Sequence, residues 1–324
     1  MNTLLRSVGL ITAGFWLAFA SFPSVAQNYP VKPVRWIMGF PGGGTSDVLG
    51  RAIAAKLSDM WGQQVVIDNR PGASGIIANS LAAQSAPDGY TVLLVSSTYA
   101  NLIAMGKKVP YDPYRDLIPI TQLASVSNVL SVHPSLPVRS VKDLIALAKS
   151  KPGQIDYGTG GILTGPHLAM ELFKLMTHTD LLHIPYKGTP PAVTDLVAGR
   201  VQVMFALAPV VMPHLKSGKI RGIAVSGPAR LPDLPKLPTV AETIPGYAAT
   251  VWYGLMVPRG TPTTVVNKLN QDYGAVLAMP DIVKRLASIG FEVTASTPQG
   301  LATFIRSEVD KWKKVIVEAK IPTD

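Results

Sequence analysis

The chain has no cysteine among its 324 residues. That removes disulfide staples, thiolate nucleophiles, Cys-ligated zinc and iron–sulfur clusters in one step. Charge is sparse as well: 15% of residues are Asp, Glu, Lys or Arg, with 20 acids against 30 bases, and aromatics make up 7%. Hydrophobic residues reach 47%, and a chain of this length suits two ordinary domains at roughly 100–200 residues each. Glycine and proline, 28 of each, exceed the average but fall short of the ~25–30% that marks a low-complexity chain. Disorder, collagen and coiled coil are excluded as descriptions of the whole, and stability has to come from packing.

Residues 1–26 stand apart. Arg6 supplies a short positive segment, an apolar run follows over residues 8–20, and Ser24-Val25-Ala26 places small residues at a cleavage site. The run has the length of a signal-peptide core, about 7–15 residues, and is shorter than the roughly 20 needed to span a bilayer. These residues are expected to be a cleavable signal peptide, with a mature protein starting at Gln27 and released into the periplasm. No cysteine follows for a lipid anchor, and no later stretch reads as a membrane span.

Removing that segment takes away one Arg and no acid, so the remainder stays basic. Its Lys and Arg are scattered, with only Lys107-Lys108 and the run Lys311-Trp312-Lys313-Lys314 standing close together. The second run falls on an expected surface helix, and no nucleic-acid-binding motif accompanies it. A protein that collects small anions accounts for the charge better than one that binds nucleic acid.

Strand and helix signals alternate along the rest of the chain. Residues 34–40 predict a buried strand, 41–46 a glycine turn, and 47–60 a helix with Leu49, Ile53, Leu57 and Met60 on one face. Further strands are expected at 64–68, 91–96, 155–158, 181–185, 201–206, 220–226 and 251–257. Helices are expected at 76–84, 141–150, 166–176 and 191–198, and two more open at Thr261-Pro262 and Thr297-Pro298. Ser140 with Asp143 resembles a capping box. In the last helix Leu301, Phe304, Ile305, Val309 and Trp312 are spaced for one buried face. Such alternation predicts an α/β fold with largely parallel sheets.

Two segments share a design. Gly39-Phe40-Pro41-Gly42-Gly43-Gly44-Thr45-Ser46-Asp47 joins an expected strand to a helix, and Gly158-Thr159-Gly160-Gly161-Ile162-Leu163-Thr164-Gly165-Pro166-His167 does so again. Glycines let backbone approach a ligand, and N–H groups at a helix start have no intrahelical partner, so each segment is a candidate anion site. Neither is a Walker A loop or a Gly-x-Gly-x-x-Gly fingerprint. Asp47, in the first helical turn, is expected to cap the helix. Tight turns alone would also explain either loop. Two such loops in one exported chain favour an anion held between two lobes.

Catalysis finds little support. None of the five histidines stands in a His-Glu-x-x-His motif, and no Gly-x-Ser-x-Gly elbow occurs. His167, in the first turn after the second loop, either lines the cleft or packs at the helix end, and Glu171 lies one turn further on. Lys187, after a strand end, is a surface lysine or a cation for the ligand. Trp252 and Tyr253 are expected to be core at a crossing between lobes.

At these residues the sequence resembles the Bug family, the TctC-like solute receptors of tripartite tricarboxylate transporters. The matching segments include Tyr29-Pro30-Val31-Lys32-Pro33-Val34-Arg35, Phe40-Pro41-Gly42-Gly43-Gly44-Thr45-Ser46-Asp47, Asn69-Arg70-Pro71-Gly72-Ala73, Pro87-Asp88-Gly89-Tyr90-Thr91 and Tyr111-Asp112-Pro113. They continue through His167-Leu168, Pro185-Tyr186-Lys187-Gly188, Thr194-Asp195-Leu196 and Trp252-Tyr253-Gly254-Leu255 to Lys311-Trp312. The resemblance implies a type II periplasmic-binding-protein fold, a two-lobed "Venus flytrap". Lobe 1 is expected over 27–124 and 246–324, lobe 2 over 125–245. It also implies an organic-acid ligand, gripped by the two glycine loops and delivered to membrane permease subunits; a mono- or dicarboxylate, aliphatic or aromatic, and a monomeric protein are expected. No metal, cofactor, nucleic acid or catalytic residue is expected.

The ligand contacts implied in the first loop are Phe40, Gly43, Gly44, Thr45, Ser46 and Asp47, with Ser97 and Thr98 from the next strand end. The second loop would add Gly158, Thr159, Gly160, Gly161, Leu163 and Thr164, followed by His167, Tyr186 and Lys187. One departure stands out. The family pattern has glycine where this chain has Leu163, which predicts an apolar wall if the side chain reaches the cleft. A ligand sensor feeding a membrane regulator and an exported α/β hydrolase or transferase are the rival readings.

Overall fold

A computed structural model describes residues 29–321; the expected signal peptide and the start at Gln27 lie outside the described residues. The chain begins as the sequence pattern dictates. Strand β1 (Val34–Met38) runs into the glycine turn and helix α1 (Thr45–Trp61), which is followed by β2 (Val65–Asn69), α2 (Ile76–Ala83) and β3 (Thr91–Ser96). β1 lies between β2 and β3, parallel to both. Leu49, Ile53 and Leu57 of α1 are buried, whereas Met60, expected on the same face, is 41% exposed.

The chain then departs from the sequence expectations. Ser97–Ala104 is a helix, α3, capped by Ser96, whose hydroxyl accepts from Thr98 N; it is not merely a strand end. Next comes β4 (Leu117–Val132), a 16-residue strand that the sequence pattern does not announce. Its polar residues Thr121, Gln122, Ser125, Ser127, Asn128 and Ser131 are buried, which erases the alternation that marks a half-exposed strand. Pro119 sits at an irregularity in its pairing, where a missing N–H is tolerated.

The second half repeats the alternation with α4 (Val141–Ser150), β5 (Asp156–Thr159), α5 (Gly165–Thr177), β6 (Leu182–Pro185), α6 (Thr189–Val197) and β7 (Val203–Leu207). A helix not expected from sequence, α7 (Ala208–Lys216), precedes β8 (Arg221–Val225). The chain returns through β9 (Thr250–Pro258) and α8 (Thr263–Leu277) to two short elements, α9 (Pro280–Ser288) and β10 (Phe291–Val293). Neither of these was expected. It ends on α10 (Pro298–Glu318).

The described strands form one mixed sheet in the order β2-β1-β3-β9-β4-β7-β5-β6, with β8 and β10 also paired to β4. It is an α/β fold of two lobes, and β4 belongs to both: Ser127 still pairs with Thr250 of β9, while Asn128 pairs with Leu207 of β7. At that point Asn128 N donates to Ser226 Oγ (2.9 Å) and Asn128 Nδ2 to Ala249 O (3.1 Å). Both crossings between lobes are thus fastened to one asparagine.

α10 packs against α3 of one half and α5 of the other, with Leu301, Ile305, Val309 and Trp312 buried as its periodicity predicts and Phe304 only half-buried against the core. Trp252 and Tyr253 are core residues. The indoles of Trp252 and Trp312 both donate to Glu308 Oε2, at 3.3 and 3.0 Å.

α5 approaches β9 so closely that a Cβ on Gly165 would come within 2.5 Å of Val251 Cγ2. Gly165→Ala is therefore expected to destabilise by about 1–3 kcal/mol through overpacking. In urea denaturation the Gly165→Ala/Val251→Ala pair should lose less than the two single changes added together.

Candidate functional site

The first glycine loop stabilises itself. Gly43, with φ +77, takes a conformation that suits glycine, and its N–H donates to Asp47 Oδ2 at 2.9 Å. Arg51, one turn along α1, donates to the same oxygen at 2.8 Å. The Arg51 hydrogen bond holds the Asp47 carboxyl below its usual range, with Gly43 adding to the effect against the opposing cost of burial. Asp47 is therefore a tie across the loop and not the helix cap expected of it, because its carboxylate reaches past the N-cap Gly44 to Gly43. No side chain caps α1, and the N–H groups of Thr45 and Ser46 find no acceptor among the described residues. That helix end keeps its positive potential.

The second loop is built differently. Gly158 and Thr159 close β5, Gly161 has φ +133, and Leu163 has φ +63, a left-handed conformation that a glycine would adopt freely. Thr164 caps α5: its hydroxyl accepts from His167 N (3.4 Å) and donates to Gly161 O (2.9 Å). Leu163 N donates to His167 Nδ1 at 3.0 Å. That bond places the ring proton on Nε2.

His167 is thus not a cleft contact. It is 3% exposed and stacks on His183, with centroids 4.2 Å apart, and its Nε2 lies 4.0 Å from Glu171 Oε1. Burial, aided by the neighbouring His183 and Lys174, pushes its pKa down to about 3, so the ring is neutral. Glu171 accepts instead from Tyr157 Oη and Lys174 Nζ. His183 Nε2 lies 2.7 Å from Thr159 Oγ1, so this layer supports both ends of the loop.

Beside the loop, Tyr186 O lies 3.5 Å from where a Cβ on Gly161 would stand, and Thr189 N 2.9 Å from one on Gly160. The Tyr186 hydroxyl donates to Asp195 Oδ2 at 2.8 Å; burial and that carboxylate push it up to about 12. Tyr186 is tied down by Asp195, while Lys187 is exposed.

A cavity of about 360 Å3 lies where the halves meet, within the size range of small-molecule sites. The turn before α2 contributes Ala73 and Ser74, and α2 its first residue, Ile76; α3 and its exit contribute Thr98, Asn101, Leu102, Met105 and Lys107; the second loop contributes Ile162, Leu163 and Thr164. Among the residues expected from sequence, Thr98, Leu163 and Thr164 line it. Phe40, Gly43, Gly44, Thr45, Ser46 and Asp47 do not. Their loop adjoins it at second hand, since a Cβ on Gly39 would come within 2.9 Å of Gly75 Cα. Ser97 is buried at the same junction, its Oγ 4.0 Å from the Cβ position of Gly165.

Sequence reasoning missed Asn101, which is 2% exposed and donates from Nδ2 to Leu163 O at 3.3 Å. A lone amide inside the apolar run Tyr99-Ala100-Asn101-Leu102-Ile103 was the available signal. Lys107 had been visible only as half of a basic pair. Among the described residues no group of three His, Asp or Glu is placed to hold a metal, and no helix is long and apolar enough to cross a membrane.

A two-lobed α/β fold with a cavity at the junction of its lobes is the architecture of the periplasmic-binding class. The chain belongs to the TctC family, the tripartite tricarboxylate transporter family receptors, whose pattern matches residues 49–321. It is 35% identical to protein BugT of Bordetella pertussis over 321 residues, 98% of either chain. The solved structure of R. palustris Rpa4515 with adipate is 40% identical, with a TM-score of 0.80 over 90% of this chain and 99% of that one. MatC from Rhodopseudomonas palustris with bound malate is 29% identical, with a TM-score of 0.76 over 89% of this chain and 100% of the other.

His167 makes the loop sensitive to acid. Its ring is neutral when folded, with a pKa near 3, but takes a proton near 6.5 when unfolded. Below ~6.5 the unfolded chain binds the extra proton, so stability falls as pH drops, by up to about 1.4 kcal/mol per unit until the folded pKa is reached. Chemical denaturation at pH 7 and pH 5 should show a smaller loss in His167→Asn, whose amide oxygen can still accept from Leu163 N.

Proposed function

We propose that the chain is an exported receptor that captures a small organic acid in this cavity and delivers it to the membrane permease of a tripartite tricarboxylate-type transporter. The observation that carries the reading is the cavity itself, whose walls come from both halves of the sheet, so that a ligand there joins them. Relatives of the same fold solved with adipate and with malate support a carboxylate as its occupant.

Cations and helix ends supply the counter-charge. Lys107 stands exposed on the cavity's edge and Lys187 beside the second loop, while the open N-terminus of α1 adds positive potential nearby. Ile76, Leu102, Met105, Ile162 and Leu163 make the walls apolar, which suits an acid with an aliphatic or aromatic body better than a compact tricarboxylate. Lobe 1 comprises residues 27–124 and 246–324 and lobe 2 residues 125–245, the protein working as a periplasmic monomer once residues 1–26 are removed. It is a binder and not a catalyst: the buried His167 holds a loop, and among the described residues lining the cavity there is no histidine and no carboxylate to activate a nucleophile.

A thermal-shift screen against mono-, di- and tricarboxylates tests this. Binding to the folded state should raise the melting temperature with ligand concentration, and esterifying the acid should abolish the rise. Protein stripped by unfolding and refolding that responds to no carboxylate would overturn the reading. Leu163→Gly should relax the backbone yet weaken acids with long apolar bodies by roughly tenfold, since each buried methylene contributes ~0.8 kcal/mol. An unchanged ranking of acids in isothermal titration would remove Leu163 from the specificity wall.

A further inference from the structure

Granting the receptor reading on which it rests, we propose that Asn101 is a positioning residue. It holds Leu163 in the backbone conformation that makes this side chain a wall of the cavity, and so sets the apolar length of acid that fits. Leu163 has φ +63, a left-handed conformation that crowds the Cβ of any side chain and that bulky residues seldom adopt. A residue stays there only where its surroundings over-determine it. Two side chains do so here. His167 Nδ1 accepts from Leu163 N at 3.0 Å, and Asn101 Nδ2 donates to Leu163 O at 3.3 Å. His167 belongs to α5, which follows the loop directly, whereas Asn101 belongs to α3 in the other half, 62 residues away in sequence.

Asn101 acts through Leu163 and not on the ligand. It is 2% exposed, and its Oδ1 is buried with no partner among the described residues, so an acid in the cavity does not reach that oxygen. A buried amide with an unpaired oxygen costs stability, and the bond to Leu163 O is the one its side chain makes among the described residues. Of the other polar side chains lining the cavity, Thr98 bonds to Ser96 and Thr164 to Gly161, and neither Ser74 nor Lys107 bonds to Leu163. The Leu163 side chain packs on the main core as well as lining the cavity. Turning its backbone out of the left-handed region would swing it away from both. Because its carbonyl is tied to α3, the wall stands only while α3 and the second loop are together. The length filter therefore belongs to the assembled junction and not to the loop alone.

Hydrogen exchange in the 15N-leucine-labelled chain reads the hold directly. In Asn101→Leu the amide of Leu163 should exchange about tenfold faster, while Leu168 and Leu172 of α5 keep their natural rates. Propanoate and octanoate, titrated calorimetrically into protein stripped of ligand by unfolding and refolding, read its consequence. The preference for octanoate should fall roughly tenfold in Asn101→Leu, as it should in Leu163→Gly. Added to Leu163→Gly, Asn101→Leu should change that preference by about twofold or less, because no wall is left to position. Four results would each overturn the proposal and leave the receptor reading intact: unchanged exchange at Leu163, acceleration shared by Leu168 and Leu172, an unaltered preference in Asn101→Leu, or an equal fall in both backgrounds. Failure of every carboxylate to bind would overturn both. If Asn101→Leu does not fold, Asn101→Ser, polar but too short to reach the carbonyl, is read in the same way.

Discussion

The continuity of β4 is the constraint on which the rest of the molecule depends. One strand pairs first with β9 and then with β7 and β8, so the two halves share a backbone ladder and not merely a side-chain interface. Such a ladder leaves few ways for one half to move relative to the other. Asn128 concentrates that freedom further by tying Ser226 and Ala249 to the point where β4 passes from one half to the other. A cavity at the junction is then a consequence of topology: the loops at the ends of β3 and β5 meet there because their strands flank a shared spine.

The loops themselves show two solutions to one local problem. A strand that runs through glycines into a helix leaves amide groups without partners. In the first loop Asp47 satisfies Gly43 from within the helix and leaves the leading amides open. In the second, Thr164 and His167 bind the amides of His167 and Leu163 and the carbonyl of Gly161, so the loop is tied from within and presents its side chains. Similar sequence therefore produces one helix end with open electrostatic potential and one that is a shaped wall.

Much of this was legible beforehand. The alternation of β1, α1, β2 and α2, the glycine loops, the capping residues Ser140 and Thr297 and the buried stripe of α10 all follow from local pattern, and the structure contains them. β4 was not legible, because a strand buried on both faces and rich in Ser, Thr and Asn has no period to detect. α7, α9 and β10 are short and take their shape from what they pack on. The site was half visible. Leu163 and Thr164 announced themselves through the glycine pattern around them, whereas Asn101 matters only because a helix from one half brings it to a carbonyl of the other. No spacing in sequence encodes that meeting. His167 was marked by its position after the loop, and its burial decided between the two roles that position allowed.

The carboxylate shared by Trp252 and Trp312 has an optical meaning as well. One indole belongs to β9, beside the crossings, and the other to α10, which spans both halves. Motion that shifts this helix against the strand changes the surroundings of two fluorophores at once. The chain thus carries a built-in reporter on the helix that packs against both halves, readable without any attached dye.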